Sequence, residues 1–121
     1  MNWTTIPKTL EPGEPVPNPA DTPPFSWEAA RAELEGLPGG GLNIGHEAVD
    51  RQVRAGRGDA IALRWLGKDG ARREFSYADL ARLSNRFANG LSRLGIQRGD
   101  RICILAGRIP ELYITALGTL K

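Results

Sequence analysis

Between Tyr77 and Leu94 the apolar residues Leu80, Leu83, Phe87, Leu91 and Leu94 recur at spacings of three and four, which predicts a helix with one apolar stripe. Asp79, Arg82, Arg86 and Arg93 lie away from it. Ser76 is placed as N-cap with Asp79 three residues on, the capping-box pattern, and Gly95 supplies the stop. Upstream the period changes to two. Ile61, Leu63 and Trp65 alternate with Ala62 and Arg64, predicting a strand over 60–66. Lys68-Asp69-Gly70 predicts a tight turn, and residues 72–75 the returning strand. Downstream, residues 96–100 turn the chain into 101–106, where Ile102, Cys103, Ile104 and Leu105 are apolar on both faces. Such a run predicts a strand buried inside a helix-covered parallel sheet. From Pro110 to Lys121 the chain reads as a helix that is apolar almost all round, which requires protein on most of its sides.

The first half is less regular. Residues 26–37 predict a short helix with Ser26 as N-cap, Gly36 as terminator, and Phe25 and Trp27 as an apolar hook. A Pro38-Gly39-Gly40-Gly41 loop leads to a second helix over 42–55, capped by Asn43, with Leu42, Val49 and Val53 facing inward; Gly56-Arg57-Gly58-Asp59 ends it. Seven of the nine prolines fall within residues 1–24. Proline removes amide donors and restrains its predecessor to extended backbone, so this part predicts an extended arm, with Trp3, Ile6 and Leu10 as possible anchors.

The order hairpin, helix, buried strand, helix indicates an α/β fold whose sheet is incomplete. Three parts are expected: a proline-rich arm over 1–24, a helical extension over 25–58, and the start of an α/β subdomain over 59–121. The uncapped apolar helix at Lys121 is read as the opening of a longer protein. Alone, the chain would leave its central strand without neighbours and is expected to be aggregation-prone or partly molten.

Charge and cysteine usage narrow the classes. The formal charge of +2 comes without a basic run of five or more, which argues against nucleic acid as a partner. Cys103 is the single cysteine, so neither an intrachain disulfide nor a cysteine-based metal site can form; its apolar neighbours predict a core position. No apolar stretch approaches the ~20 residues that span a bilayer, and the N-terminus has no signal-peptide pattern. The expected address is the cytoplasm, with no membrane partner, and the Asn2-Trp3-Thr4 sequon is read as chance.

Chemistry-bearing patterns are sparse. Gly39-Gly40-Gly41 with Gly45 has the wrong spacing for a dinucleotide loop and no preceding strand, so it reads as a connector. Gly67-Lys68 lacks the remaining positions of a Walker loop. His46, beside Glu47 and Asp50, could do acid–base work, but reads as a partly exposed helix-start histidine. Ser76, Ser84 and Ser92 have no histidine in a nucleophile arrangement. Glu111, after Pro110, complements the helix dipole.

Several strings in order carry a resemblance. Phe75-Ser76-Tyr77-Ala78-Asp79-Leu80 resembles the first conserved block of adenylate-forming enzymes, a hydrophobic-(Thr/Ser)-Tyr-x-(Glu/Asp)-Leu string. Asn85-Arg86-Phe87-Ala88-Asn89-Gly90-Leu91, Leu94-Gly95-Ile96, Arg98-Gly99-Asp100-Arg101-Ile102, Ile109-Pro110-Glu111-Leu112 and Leu117-Gly118 follow in that superfamily's order. Upstream, the stretch from Leu42 through Asn43, Glu47, Ala48 and Asp50 to Arg51 is similar to acetyl-CoA synthetases and close acyl-CoA synthetases, as is Phe25-Ser26-Trp27-Glu28. The resemblance covers residues 25–121.

The resemblance implies the N-terminal part of the AMP-forming ligase fold and a two-step reaction. A carboxylate and MgATP give an acyl-adenylate and pyrophosphate, then coenzyme A displaces AMP. The family's phosphate loop, aromatic-Gly-x-Thr-Glu segment, ribose-binding Asp and C-terminal Lys have no counterpart in these residues. The resemblance therefore assigns no catalytic, cofactor-binding or metal-binding residue here. ATP, Mg and CoA would be bound with the remainder of the synthetase, which is the expected partner, and the chain alone would be inactive. Arg108 is the nearest candidate for an active-site wall. The alternative is a non-catalytic truncated paralogue acting as an interaction module.

Overall fold

The computed structural model describes residues 24–121. The proline-rich arm, with Trp3, Ile6 and Leu10, lies outside the described residues except for Pro24.

Helix α1 is Trp27–Ala32, and Ser26 caps it by accepting a hydrogen bond from the Ala29 amide at 3.0 Å. It is shorter than its sequence pattern predicts. The backbone groups that would continue it are engaged by side chains: Glu47 accepts from the Glu35 and Gly36 amides (3.2 and 2.7 Å), and Arg51 donates to the Glu33 carbonyl at 2.9 Å. Gly36 then turns the chain with φ +74°. Phe25 and Trp27 do not hook into a core. They are 71% and 78% exposed and pack edge to face on each other, with centroids 5.0 Å apart.

The second predicted helix is wound more widely, as two π-helical turns, His46–Asp50 and Val53–Arg57. Asn43 caps it as expected, its Oδ1 accepting from the His46 amide at 3.1 Å. Val49 is buried, whereas Leu42, expected inside, is half exposed. Gly56, at φ +79°, breaks the winding before the hairpin.

Strand β1 (Ile61–Leu66) pairs antiparallel with β2 (Arg72–Ser76). Asp69 Oδ1 accepts from the Ala71 amide in the turn, and Gly70 takes φ +83° there. Leu63 opposes Phe75 and Trp65 opposes Arg73, but the register shifts between Ile61 and Leu63. That bulge breaks the alternation: Ile61 is half exposed and Ala62 packs on the core instead.

Helix α2, Tyr77–Arg93, starts with the predicted capping box. The Asp79 amide donates to Ser76 Oγ at 3.1 Å, and the Ser76 amide to Asp79 Oδ2 at 3.2 Å. It ends in a Schellman pattern, with Ile96 N–H on the Leu91 carbonyl and Gly95 N–H on that of Ser92. Helix α3, Pro110–Leu120, crosses α2 with Pro110 at its first turn, where a missing N–H costs nothing. The core is Val49, Phe75 and Leu80, with Ala62, Leu63, Ala81, Leu83, Ile114 and Leu117 packed round it.

Residues 101–106 depart from the expectation of a buried parallel strand. Among the described residues the only sheet is the hairpin, and 101–106 is paired with nothing. A strand exists only through ladder hydrogen bonds to a neighbour, so the apolar run forms none: Ile102 and Ile104 are half-buried, while Cys103 and Leu105 are exposed. Cys103 is therefore not a core residue. For the same reason Leu94, at the end of the α2 stripe, is 80% exposed.

Candidate functional site

Residues from three resembling blocks meet where α3 ends. Asn43 uses both ends of its amide: Oδ1 caps the π-helical segment, and Nδ2 donates to the Leu120 carbonyl at 2.6 Å. The Lys121 ammonium donates to Asp50 Oδ1 and to Asn85 Oδ1, each at 2.7 Å. Its side chain is only 10% exposed, so the charge is held by these partners more than by water. Gly45 allows the approach, since a Cβ at that position would lie 3.0 Å from Lys121 Cγ and 3.2 Å from the Leu117 carbonyl.

Beside this seam lies a groove of about 960 Å³, lined by Leu42, Asn85, Asn89, Ser92, Ile102 and Lys121 among others. It runs along α2 and α3 beside the 96–102 turn. Thr119 Oγ1, also in its wall, is buried without a hydrogen-bond partner among the described residues.

His46 is 8% exposed, not partly exposed as the sequence pattern implies. It faces neither Glu47 nor Asp50. Its Nε2 lies 3.3 Å from Glu35 Oε2 and 2.6 Å from Arg54 Nη2, and Arg54 also contacts Glu35 at 3.2 Å. Glu47 instead holds the chain after α1, and the Gly36 amide, ahead of the Glu35 amide and Arg51, keeps its carboxyl below the ordinary range. These groups stitch the 31–42 region to the π-helical segment and leave no acid–base pair facing a cleft.

Glu111 sits at the start of α3 and pairs with Arg73 at 3.1 Å. Its own backbone N–H, then Arg73, lower its carboxyl below the ordinary range, as a helix N-terminus should. Arg108 is exposed, and its carbonyl accepts from Trp65 Nε1 at 2.7 Å, so Trp65 anchors the loop before α3. Ser76 is a cap, Ser84 is fully buried under α3, and Ser92 lines the groove. No local sequence pattern marks Lys121, the lone cation among the apolar residues of 112–121, as a contact of Asp50 and Asn85.

Among the described residues no cluster of three or more His, Cys, Asp or Glu side chains could hold a metal ion. Gly39 and Gly40 turn the loop at φ +89° and +84°, and a Cβ on either would meet no protein atom within 4 Å. No helix among them is long and apolar enough to cross a membrane.

Residues 49–121 match the AMP-binding enzyme family, and the chain belongs to it. Acetyl-coenzyme A synthetase of Gemmatimonas aurantiaca is 44% identical over 97 residues, covering 80% of this chain and 14% of that protein. The Methanothrix soehngenii acetyl-coenzyme A synthetase is 33% identical over 125 residues, covering 98% of this chain and 17% of that one. The crystal structure of a Brucella canis acyl-CoA synthetase superposes with a TM-score of 0.71 at 35% identity, over 79% of this chain and 17% of that chain. The chain thus spans 14–17% of the length of these relatives.

Proposed function

We propose that this chain is the N-terminal scaffold of an AMP-forming acyl-CoA synthetase acting on acetate or another short carboxylate. The observation that carries the reading is the 44% identity to an acetyl-coenzyme A synthetase over 97 residues that make up only 14% of that enzyme. In such an enzyme a carboxylate oxygen attacks the α-phosphorus of ATP and pyrophosphate leaves. The coenzyme A thiol then attacks the acyl carbon and AMP departs. These 121 residues contribute packing to that reaction: the hairpin and the α2–α3 pair form a wall, and the groove receives the rest of the sheet. The remainder of the synthetase is the partner, ATP, Mg and CoA bind with it, and the cytoplasm is the compartment.

The test is a chimera in which this chain replaces the segment it matches in the Gemmatimonas aurantiaca enzyme. The chimera is expected to catalyse acetate-dependent ATP–pyrophosphate exchange and to form acetyl-CoA, while the chain alone does neither. A folded chimera without exchange refutes the synthetase reading, and exchange by the isolated chain refutes the scaffold role.

The second reading, a free-standing interaction module, is favoured by the open groove and the unpaired 101–106 segment. Capture of a full-length synthetase by the purified chain, with no exchange in the chimera, would select it.

A further inference from the structure

His46 is a buried titratable side chain to which the synthetase reading gives no task. Its ring meets two opposite charges through one nitrogen: Nε2 lies 2.6 Å from Arg54 Nη2 and 3.3 Å from Glu35 Oε2. A guanidinium has only donors, so Arg54 demands a lone pair at Nε2. An ionised carboxylate has only acceptors, so Glu35 demands a proton there. No single state of the ring satisfies both. The shorter contact assigns the neutral ring, with its lone pair at Nε2, as the form seen here. Arg54 bridges the ring to the loop after α1, since Nη2 also lies 3.2 Å from Glu35 Oε2.

Protonation reverses the preference. Arg54 Nη2 is 3.2 Å from Nδ1 as well, so a ring protonated at both nitrogens would set two donors against a third. Its Nε2–H would instead donate to Glu35 in a charge-assisted bond. The His46 side chain is 10% exposed and that of Arg54 57%, so the ring stays and Arg54 swings out. Glu35 belongs to the loop between α1 and the π-helical segment, and the exchange changes what holds that loop. With a neutral ring it is an exposed, salt-screened pair with Arg54; with a charged ring it is a bond to a buried partner. Other charged groups on the packed elements are committed elsewhere. Glu47 holds the Gly36 amide and Arg51, and its lowered carboxyl stays ionised where histidine titrates. Asp50 accepts from Lys121, Arg51 donates to the Glu33 carbonyl, and Arg57 lies over the Tyr77 ring. From α2 the hydrogen-bonding residue at this segment is Asn85, which carries no charge.

We propose that His46, Glu35 and Arg54 form a proton-operated clasp: when the ring takes up a proton, Glu35 passes from Arg54 to His46 and the loop tightens onto the π-helical segment.

His46 is the single histidine of the 121 residues, so its ring nitrogen signals are unambiguous in the isotope-labelled chain. Amide hydrogen exchange is compared at about pH 8 and about pH 5.5, either side of the histidine range, after correction for intrinsic rates. The Glu35 and Gly36 amides are expected to be about fivefold better protected at the lower pH, the scale of one hydrogen bond, while β1–β2 amides keep their protection. Glu35→Gln should abolish that difference. In Arg54→Met at about pH 8, the ring proton should move from Nδ1 to Nε2, where it can reach Glu35. The ring nitrogen shifts report this change of tautomer, which a merely structural role for Arg54 would not produce. Equal protection at the two pH values overturns the proposal, and so does a response that survives in Glu35→Gln. An unchanged tautomer in Arg54→Met overturns it too, and that readout decides alone if Glu35→Gln does not fold.

Discussion

Gly118 offers a sharp test of how α2 and α3 pack. It is buried at their crossing, where a Cβ would lie 2.7 Å from the Ser84 carbonyl oxygen and 2.9 and 3.0 Å from Phe87 Cδ1 and Cβ. Two effects oppose each other in Gly118→Ala. Helix propensity favours alanine by about 1 kcal/mol, while overpacking costs about 1–3 kcal/mol. Here the nearest atom is main chain in the middle of α2 and cannot swing away, so overpacking wins and the expected net loss is about 1 kcal/mol. Gly90, also inside a helix, is the control because a Cβ there meets nothing within 4 Å. Gly90→Ala should stabilise by about 0.5–1 kcal/mol. Urea titrations followed by far-UV circular dichroism should thus separate the two variants by about 2 kcal/mol at a common m-value. If Gly118→Ala gains as much as Gly90→Ala, the helices do not cross at Ser84 and the argument for close packing fails.

Ser76→Ala should destabilise the chain by about 1 kcal/mol through loss of the α2 cap, read in the same titration; no change would mean the capping box does not hold. Asp79 has its carboxyl lowered by the Ser76 amide, then the Ser76 hydroxyl, then Arg82. Its folded value lies below its unfolded one, so its contribution is complete above the unfolded value and disappears as pH falls through the folded value. Stability should therefore decline below about pH 4, and less steeply in Asp79→Asn; equal acid slopes would remove this cause. Cys103 is exposed, so a thiol reagent such as dithionitrobenzoate should label it completely without denaturant, and labelling that required denaturant would place it in a core.

Local signals were legible wherever a short stretch satisfies itself. Ser76 and Asp79 complete their own box, Asp69-Gly70 supplies its own turn, and the α2 stripe buries Leu80 as its period requires. Readings that needed a partner fared differently. Residues 101–106 have strand composition without a ladder, and the helix after Ser26 stops early because Glu47 and Arg51 take its next backbone groups. His46 neighbours Glu47 and Asp50 in sequence, yet the fold sets it against Glu35 and Arg54. Sequence adjacency along a widened helix does not determine which side chains face each other.

By itself the sequence determined the hairpin, α2 with its start and stop residues, the start of α3 at Pro110, and membership of the family, because these depend on periodicity, capping and ordered blocks carried within short windows. Only the tertiary structure decided that Asn43, Asp50, Asn85 and Lys121 share one seam, that Gly118 lies under Ser84, and that 101–106 finds no strand partner among the described residues. Hydrogen bonds between distant residues and ladders between strands are satisfied by whichever surfaces the fold brings together, and no local pattern records which those will be.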